Sequence, residues 1–170
     1  FTAGGRIDSP PTIDHGKALF GSADGWIYCL RATDGALIWK FRGAPFDRRL
    51  MAFEGLESVW PVHGSVLVED GVVSTVAGRS IFLDGGLRFL RLDAATGELL
   101  VEALIDDRDP DTGGDIQDRL ETLQMPVGLS DILSSDGEFT YLRSQKFLPD
   151  GTRTEVGPVS GNAALQGGTH

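Results

Sequence analysis

Two stretches of this chain repeat one plan, and a repeat limits the possible folds more than any single motif. Residues 10–42 read PPTIDHGKALFGSADGWIYCLRATDGALIWKFR, and residues 61–104 read PVHGSVLVEDGVVSTVAGRSIFLDGGLRFLRLDAATGELLVEAL. Each opens on a proline-led apolar stretch and a polar residue followed by Gly (His15-Gly16, Asp70-Gly71). A strand of small residues follows (17–23, 72–78), then Asp24-Gly25 or Asp84-Gly85, an apolar strand (26–31, 87–92), a Gly turn and a closing strand. Gly accepts positive φ where other residues are strained, so these pairs suit tight hairpins. The bulky runs Trp26–Leu30 and Leu87–Leu92 favour a pleated surface over a helix. Four short strands joined by three tight turns, repeated at this length, describe the blade of a β-propeller. The expected fold is all-β, a partial β-propeller of four-stranded antiparallel blades.

The 170 residues allow one domain with a real core. A net charge of -10 makes nucleic acid a poor partner, because an acidic surface repels phosphate. The single cysteine, Cys29, excludes an internal disulfide and a multi-cysteine zinc site. Its place in an apolar strand reads as a small buried hydrophobe. No apolar run reaches the roughly 18 residues that span a membrane. Position 1 is Phe and not Met, which reads as a piece of a longer protein.

Residues 1–9 read as a lead-in and blade 1 as about 10–42. A connector, 43–57, carries Asp47-Arg48-Arg49 and Met51-Ala52-Phe53 and is expected to pack a short helical turn on the sheet edge. Blade 2 spans about 58–105, an acidic linker about 106–124, and an incomplete blade 3 about 125–170. In this third copy Asp131–Gly137 repeats the opening strand and turn, and Glu138–Phe147 reads as the next strand. Gly114–Leu123 has Ile116, Leu120 and Leu123 at the spacing of a short helix.

On these residues the chain resembles the PQQ-type (pyrroloquinoline-quinone-like) repeat propellers, whose signature is A-x-D-x-x-T-G-x-x-x-W. The first copy, Cys29-x-Arg31-x-x-Asp34-Gly35-x-x-x-Trp39, keeps the Gly and the Trp. The second, Arg91-x-Asp93-x-x-Thr96-Gly97-x-x-x-Val101, keeps Asp, Thr and Gly but not the Trp. Gly21–Gly25 looks like the family's GSxDG turn, with Asp24 and Gly25. The resemblance spans roughly residues 6–151 and implies structural roles. Gly35 and Gly97 permit the turns, Asp93 and Thr96 bond the turn backbone, and Trp39 buries its ring against the next blade.

The family's quinoprotein dehydrogenases carry a vicinal Cys-Cys pair, a base Asp, and Glu and Asn ligands for calcium. One cysteine gives no such pair, and nothing else of that set can be placed on this sequence. The resemblance therefore implies a non-catalytic scaffold outside the cytoplasm, periplasmic or secreted, which binds a protein partner or a small ligand. The alternative is a domain of a PQQ-dependent oxidoreductase. Such rings hold about seven or eight blades. Three blades imply that further blades of a longer chain, or self-association, complete the ring.

Other patterns are weaker. Asp107, Asp109 and Asp111 alternate as calcium ligands do, with Asp118 further on, which makes a structural calcium-binding module a third reading. The glycine falls one place late and Pro110 stiffens the loop, so a solvated linker is preferred. His15 stands where Asp70 and Asp136 stand in the other copies and reads as a turn residue. His63 is placed to face the channel. Arg79 and Arg143 each close the second strand of their blade and could converge on one ligand face.

Overall fold

The computed structural model describes residues 1–52, 55–115, 130–143 and 145–156, and within them it contains strands and no α-helix. Blade 1 is the antiparallel sheet β1 (Thr12–Asp14), β2 (Lys17–Gly21), β3 (Trp26–Arg31) and β4 (Leu37–Arg42), in that order. The two-stranded hairpin β5 (Arg49–Ala52) and β6 (Gly55–Ser58) follows. Blade 2 comprises β7 (Leu67–Glu69), β8 (Val72–Ala77), β9 (Leu87–Asp93) and β10 (Leu99–Ile105). Blade 3 comprises β11 (Leu133–Ser135), β12 (Thr140–Leu142), β13 (Gln145–Phe147) and β14 (Arg153–Val156).

The sheets fan out from their first strands. Thr12 Oγ1 in β1 donates to the Val66 carbonyl beside β7, and Ser9 Oγ to that of Gly64 at 3.0 Å. The Leu133 amide of β11 donates to Ser65 Oγ at 3.1 Å, and Ser135 Oγ to Glu69 at 2.6 Å. The alternation of β9 then serves two interfaces at once. Leu90 and Leu92 pack with Leu19, Ile27 and Cys29 of blade 1. Leu87 and Phe89 pack with Leu133, Leu142 and Phe147 of blade 3, Phe89 stacking on Phe147 at 4.9 Å. Both faces of blade 2 are therefore core.

One device recurs after the last turn of each blade, and in blades 1 and 2 it links turn to interface. In each last strand pair the register slips three residues after the turn glycine, at Ile38, Leu100 and Thr154. A bulge of this kind re-aims the following residue. That residue is Trp39 in blade 1, whose ring lies on Gly97 of blade 2: a Cβ there would stand 2.7 Å from the indole. Trp39 Nε1 also donates to the Ala94 carbonyl at 3.2 Å. In blade 2 it is Val101, which takes the matching place on Gly151, 2.8 Å from where a Cβ would be. The lost Trp of the second copy is thus replaced by a smaller contact beside the Phe89–Phe147 stack.

Four expectations need correction. Among its described residues the connector forms a β-hairpin and no helical turn, because Leu50 and Glu57 alternate inward while Met51 and Leu56 alternate outward. Glu138–Phe147 is two strands, folded back at Arg143 with φ 54. The third copy, expected incomplete, has four strands, although each is short. Asp84-Gly85 ends a long β8–β9 connection, whereas Asp24-Gly25 closes a short β2–β3 turn. The helix suggested at Gly114–Leu123 lies outside the described residues from Ile116 on, and Asp115 bridges to Arg108. The lead-in covers the open flank of blade 1, with Phe1 edge-on to Tyr28 and Ala3 against Phe20, Tyr28 and Leu30.

His15 and Asp70 both occupy two-residue hairpin turns with positive φ, each followed by a positive-φ Gly. Asp136 opens a longer turn, its carboxylate accepting from Tyr141 Oη at 2.7 Å and from the Glu138 and Phe139 amides at 3.0 and 2.8 Å. The Tyr141 hydroxyl and then these amides pull its pKa down to about 2. A depressed carboxyl stabilises the fold above its ordinary range, and that contribution is lost as pH falls through the folded value. Urea midpoints of the native chain should therefore drop between about pH 4 and pH 2. Asp136→Asn should flatten part of that drop, and an identical acid limb in the variant would refute the assignment.

Candidate functional site

The entries to the innermost strands and the exits of the second strands share one end of the blades. Two arginines, an aspartate and a histidine meet there around one buried carboxylate. Glu57, on the inward face of β6, is only 3% exposed. Arg6 Nη1 reaches its Oε1 at 2.6 Å, and Arg79 Nη2 its Oε2 at 3.2 Å. Arg79 also donates to the Ser58 carbonyl at 3.3 Å. His63 Nε2 stands 3.8 Å from Glu57, and its Nδ1 bonds Asp8, which pairs with Arg6. Burial works to raise the Asp8 pKa, but hydrogen bonds from Arg6 and His63 outweigh it and hold the carboxyl below its usual value. The cluster ties the lead-in, the connector hairpin and blade 2 together.

A simpler arginine–carboxylate pair stands one blade on. Arg143 follows β12 as Arg79 follows β8, and its Nε donates to Asp131 Oδ2 at 2.7 Å; Asp131 lies just before β11, whereas Glu57 lies within β6, well ahead of β7. Both arginines lie at the same end of the sheets, yet each is engaged by its own carboxylate. His63 joins the first cluster. Glu57, Arg6, Asp8 and Asp131 were missed by sequence reasoning. One signal was available: Asp8 precedes His63 by 55 residues, the same offset that separates Gly16 from Gly71. The other was Glu57, an acid set in an otherwise strand-like run, Leu56–Trp60.

The acidic loop is arranged differently from a calcium loop. Asp109 is buried, and its Oδ1 accepts from the Asp111 and Thr112 amides at 2.8 and 3.2 Å. Asp107 and Asp111 are exposed, and Asp118 lies outside the described residues. Arg153 reaches across to the carbonyls of Asp106, at 3.2 Å, and Arg108. Among the described residues no group of three or more His, Cys, Asp or Glu is placed to hold a metal.

The motif residues serve the blade. Asp24 accepts from the Trp26 amide at 3.1 Å and Tyr28 Oη at 2.6 Å, and burial followed by this contact pushes the phenol up to about 12. Gly25, at φ 86, packs under Ser58 and Ala44. Gly35, at φ 71, carries the β3–β4 turn, and Gly97, at φ 75, the corresponding β9–β10 turn of blade 2. Asp93 Oδ1 accepts from Ala95, from the Thr96 amide and from Thr96 Oγ1, at 2.9, 2.7 and 2.9 Å. Cys29 is fully buried in the interface cluster with Trp39, and burial raises its thiol pKa, the opposite of an activated nucleophile.

No protein-family model and no curated protein matches the sequence. Among solved structures, a quinohemoprotein alcohol dehydrogenase from Pseudomonas putida is similar at a TM-score of 0.58 and 17% identity, over 82% of this chain and 21% of that one. A quinohemoprotein alcohol dehydrogenase from Comamonas testosteroni gives a TM-score of 0.58 and 18% identity, over 87% of this chain and 26% of that one. This chain spans about a fifth to a quarter of the length of those structures. The likeness shows the fold alone: part of a β-propeller of four-stranded blades.

Proposed function

We propose that the chain is part of a non-catalytic propeller scaffold that docks a protein partner. The observation that carries this reading is the β5–β6 hairpin, an element outside the four-stranded repeat that leaves Met51 69% and Leu56 60% exposed. Large side chains exposed side by side mark interaction surfaces more often than chance. The ionic cluster beside the hairpin supports the same reading, because Glu57, Asp8, Arg79 and Arg6 are engaged with one another and not poised for proton transfer. Placement outside the cytoplasm rests on the sequence resemblance alone. Among the described residues no helix is long and apolar enough to cross a membrane. Further blades, or a second copy, would complete the ring.

The fold likeness raises a second reading, a domain of a quinone-dependent oxidoreductase. The residues present do not fit such a site: the one cysteine is buried between blades, and the described residues hold no metal-ligand group. Titration with PQQ and calcium, followed by absorbance and by dye-linked alcohol oxidation, is expected to show no saturable change and no turnover. Either signal would overturn the scaffold reading.

A further inference from the structure

We propose that Asp70 and Asp84 are sites of spontaneous covalent modification, where the next residue's amide closes on the aspartate side chain and leaves a β-linked backbone. Six aspartates precede a glycine: Asp24, Asp34, Asp70, Asp84, Asp136 and Asp150. Glycine has no side chain to shield its amide, so each pair brings a carboxyl carbon and an open nitrogen together. The fold treats the six differently. In four pairs both reacting groups are held. The carboxylates of Asp24, Asp34, Asp136 and Asp150 accept from the amide two residues on, at 3.1, 3.0, 3.0 and 2.8 Å. The amides of Gly25, Gly35 and Gly151 donate to backbone carbonyls at 3.0, 2.8 and 2.9 Å, and that of Gly137 to Ser135 Oγ at 3.0 Å.

Asp70-Gly71 and Asp84-Gly85 are the exceptions. Among the described residues neither carboxylate has a hydrogen-bond or ion-pair partner, and neither glycine amide has an acceptor. Both aspartates are exposed, and of the six they alone stand in the left-handed region, at φ 48 and 54. A Cβ at Gly71 or Gly85 would meet nothing within 4 Å, so the chain has room to turn over. The step needs no reactant but water. The glycine nitrogen attacks the carboxyl carbon, an N–C bond forms, and a C–O bond breaks. The departing oxygen leaves as water with the amide proton and a proton from solvent. Water then opens the cyclic imide at the former main-chain carbonyl, which becomes a free carboxylate, and the chain runs on through the side-chain carbon. In the four held pairs two hydrogen bonds must be released first, which slows ring closure by about tenfold or more.

An added backbone carbon matters at both places. Asp70 lies in the two-residue turn that sets Glu69 opposite Val72, and a longer turn cannot keep that register. Strand β7 and its entry also tie the neighbouring blades, with the Val66 carbonyl accepting from Thr12 and Glu69 from Ser135 at 2.6 Å. The Asp84 carbonyl accepts from Trp60 Nε1 at 3.1 Å. Neither site depends on the scaffold reading.

The test is incubation of the native chain in heavy-oxygen water at neutral pH, because each ring opening puts a solvent oxygen into the residue. Tandem mass spectrometry locates the label at each aspartate. Label at Asp70 and at Asp84 is expected to exceed that at any of Asp24, Asp34, Asp136 and Asp150 by at least about tenfold. In urea, where no turn holds its partners, all six are expected to take up label at similar rates. Label at Asp70 or Asp84 no greater than at one of the four held aspartates would overturn the proposal. A preference for Asp70 and Asp84 that persists in urea would assign it to the flanking sequence and overturn it too.

Discussion

Trp39→Ala should lower the unfolding free energy by about 3–5 kcal/mol, the usual range for deleting a large buried aromatic. The indole is 8% exposed, caps the cluster formed by Leu19, Ile27, Cys29, Leu90 and Leu92, and donates to the Ala94 carbonyl. Removing it opens a cavity between blades 1 and 2 that the sheets cannot close, because Thr12 and Ser9 fix their inner strands to Val66 and Gly64. Two glycine variants isolate the packing from the backbone. Gly97 and Gly71 have nearly equal φ, 75 and 76, so alanine strains both turns alike. At Gly97 the added Cβ also meets the Trp39 ring at 2.7 Å, whereas at Gly71 nothing lies within 4 Å. Gly97→Ala should therefore be the more destabilising of the two by about 1–3 kcal/mol, the cost of overpacking. Urea denaturation of the three variants is the measurement. A Trp39→Ala loss below about 1 kcal/mol would mean that the blades do not depend on this contact.

The turns that make this packing possible were legible in the sequence because local chemistry dictates them. His15-Gly16, Asp70-Gly71 and the Gly35 and Gly97 turns all need left-handed backbone, and the residue types say so directly. The strand β3 falls where its aromatic and branched run predicts it. Trp39 was likewise readable as an inter-blade residue, though the bulge at Ile38 that aims it was not. A bulge is set by the partner strand, which periodicity along one strand does not encode. The connector was misread for a related reason. Four-residue strands give alternation little length to act over, and the inward turn of Glu57 depends on Arg6 and Arg79, which are distant in sequence. The ionic cluster assembles from a lead-in, a connector and two blade-2 loops, so no single stretch contained it. His63 and Arg79 were picked out singly; the carboxylate that joins them was not.

That carboxylate gives the second large effect. Glu57→Ala should destabilise the chain by about 2–3 kcal/mol. Breaking a fully buried pair by removing one partner costs about 3–5 kcal/mol, since the other charge is left without compensation. Here the partners are only partly covered, with Arg6 40% and Arg79 21% exposed, so water recovers some of the loss. Arg79 keeps the Ser58 carbonyl and Arg6 keeps Asp8, which lowers the cost further. A double-mutant cycle of Glu57→Gln with Arg79→Leu separates pairing from packing, and a coupling of about 1–2 kcal/mol is expected. Glu57 is also the inward anchor of the hairpin, opposite Leu50 in the register. Hydrogen exchange in Glu57→Ala should therefore accelerate across residues 5–9 and 49–58, while β3 and β9 keep their protection. If exchange in the hairpin is unchanged and the stability loss stays within about 0.5 kcal/mol, the ion pairs are surface ornament and the hairpin is held by Leu50, Val59 and Trp60 alone.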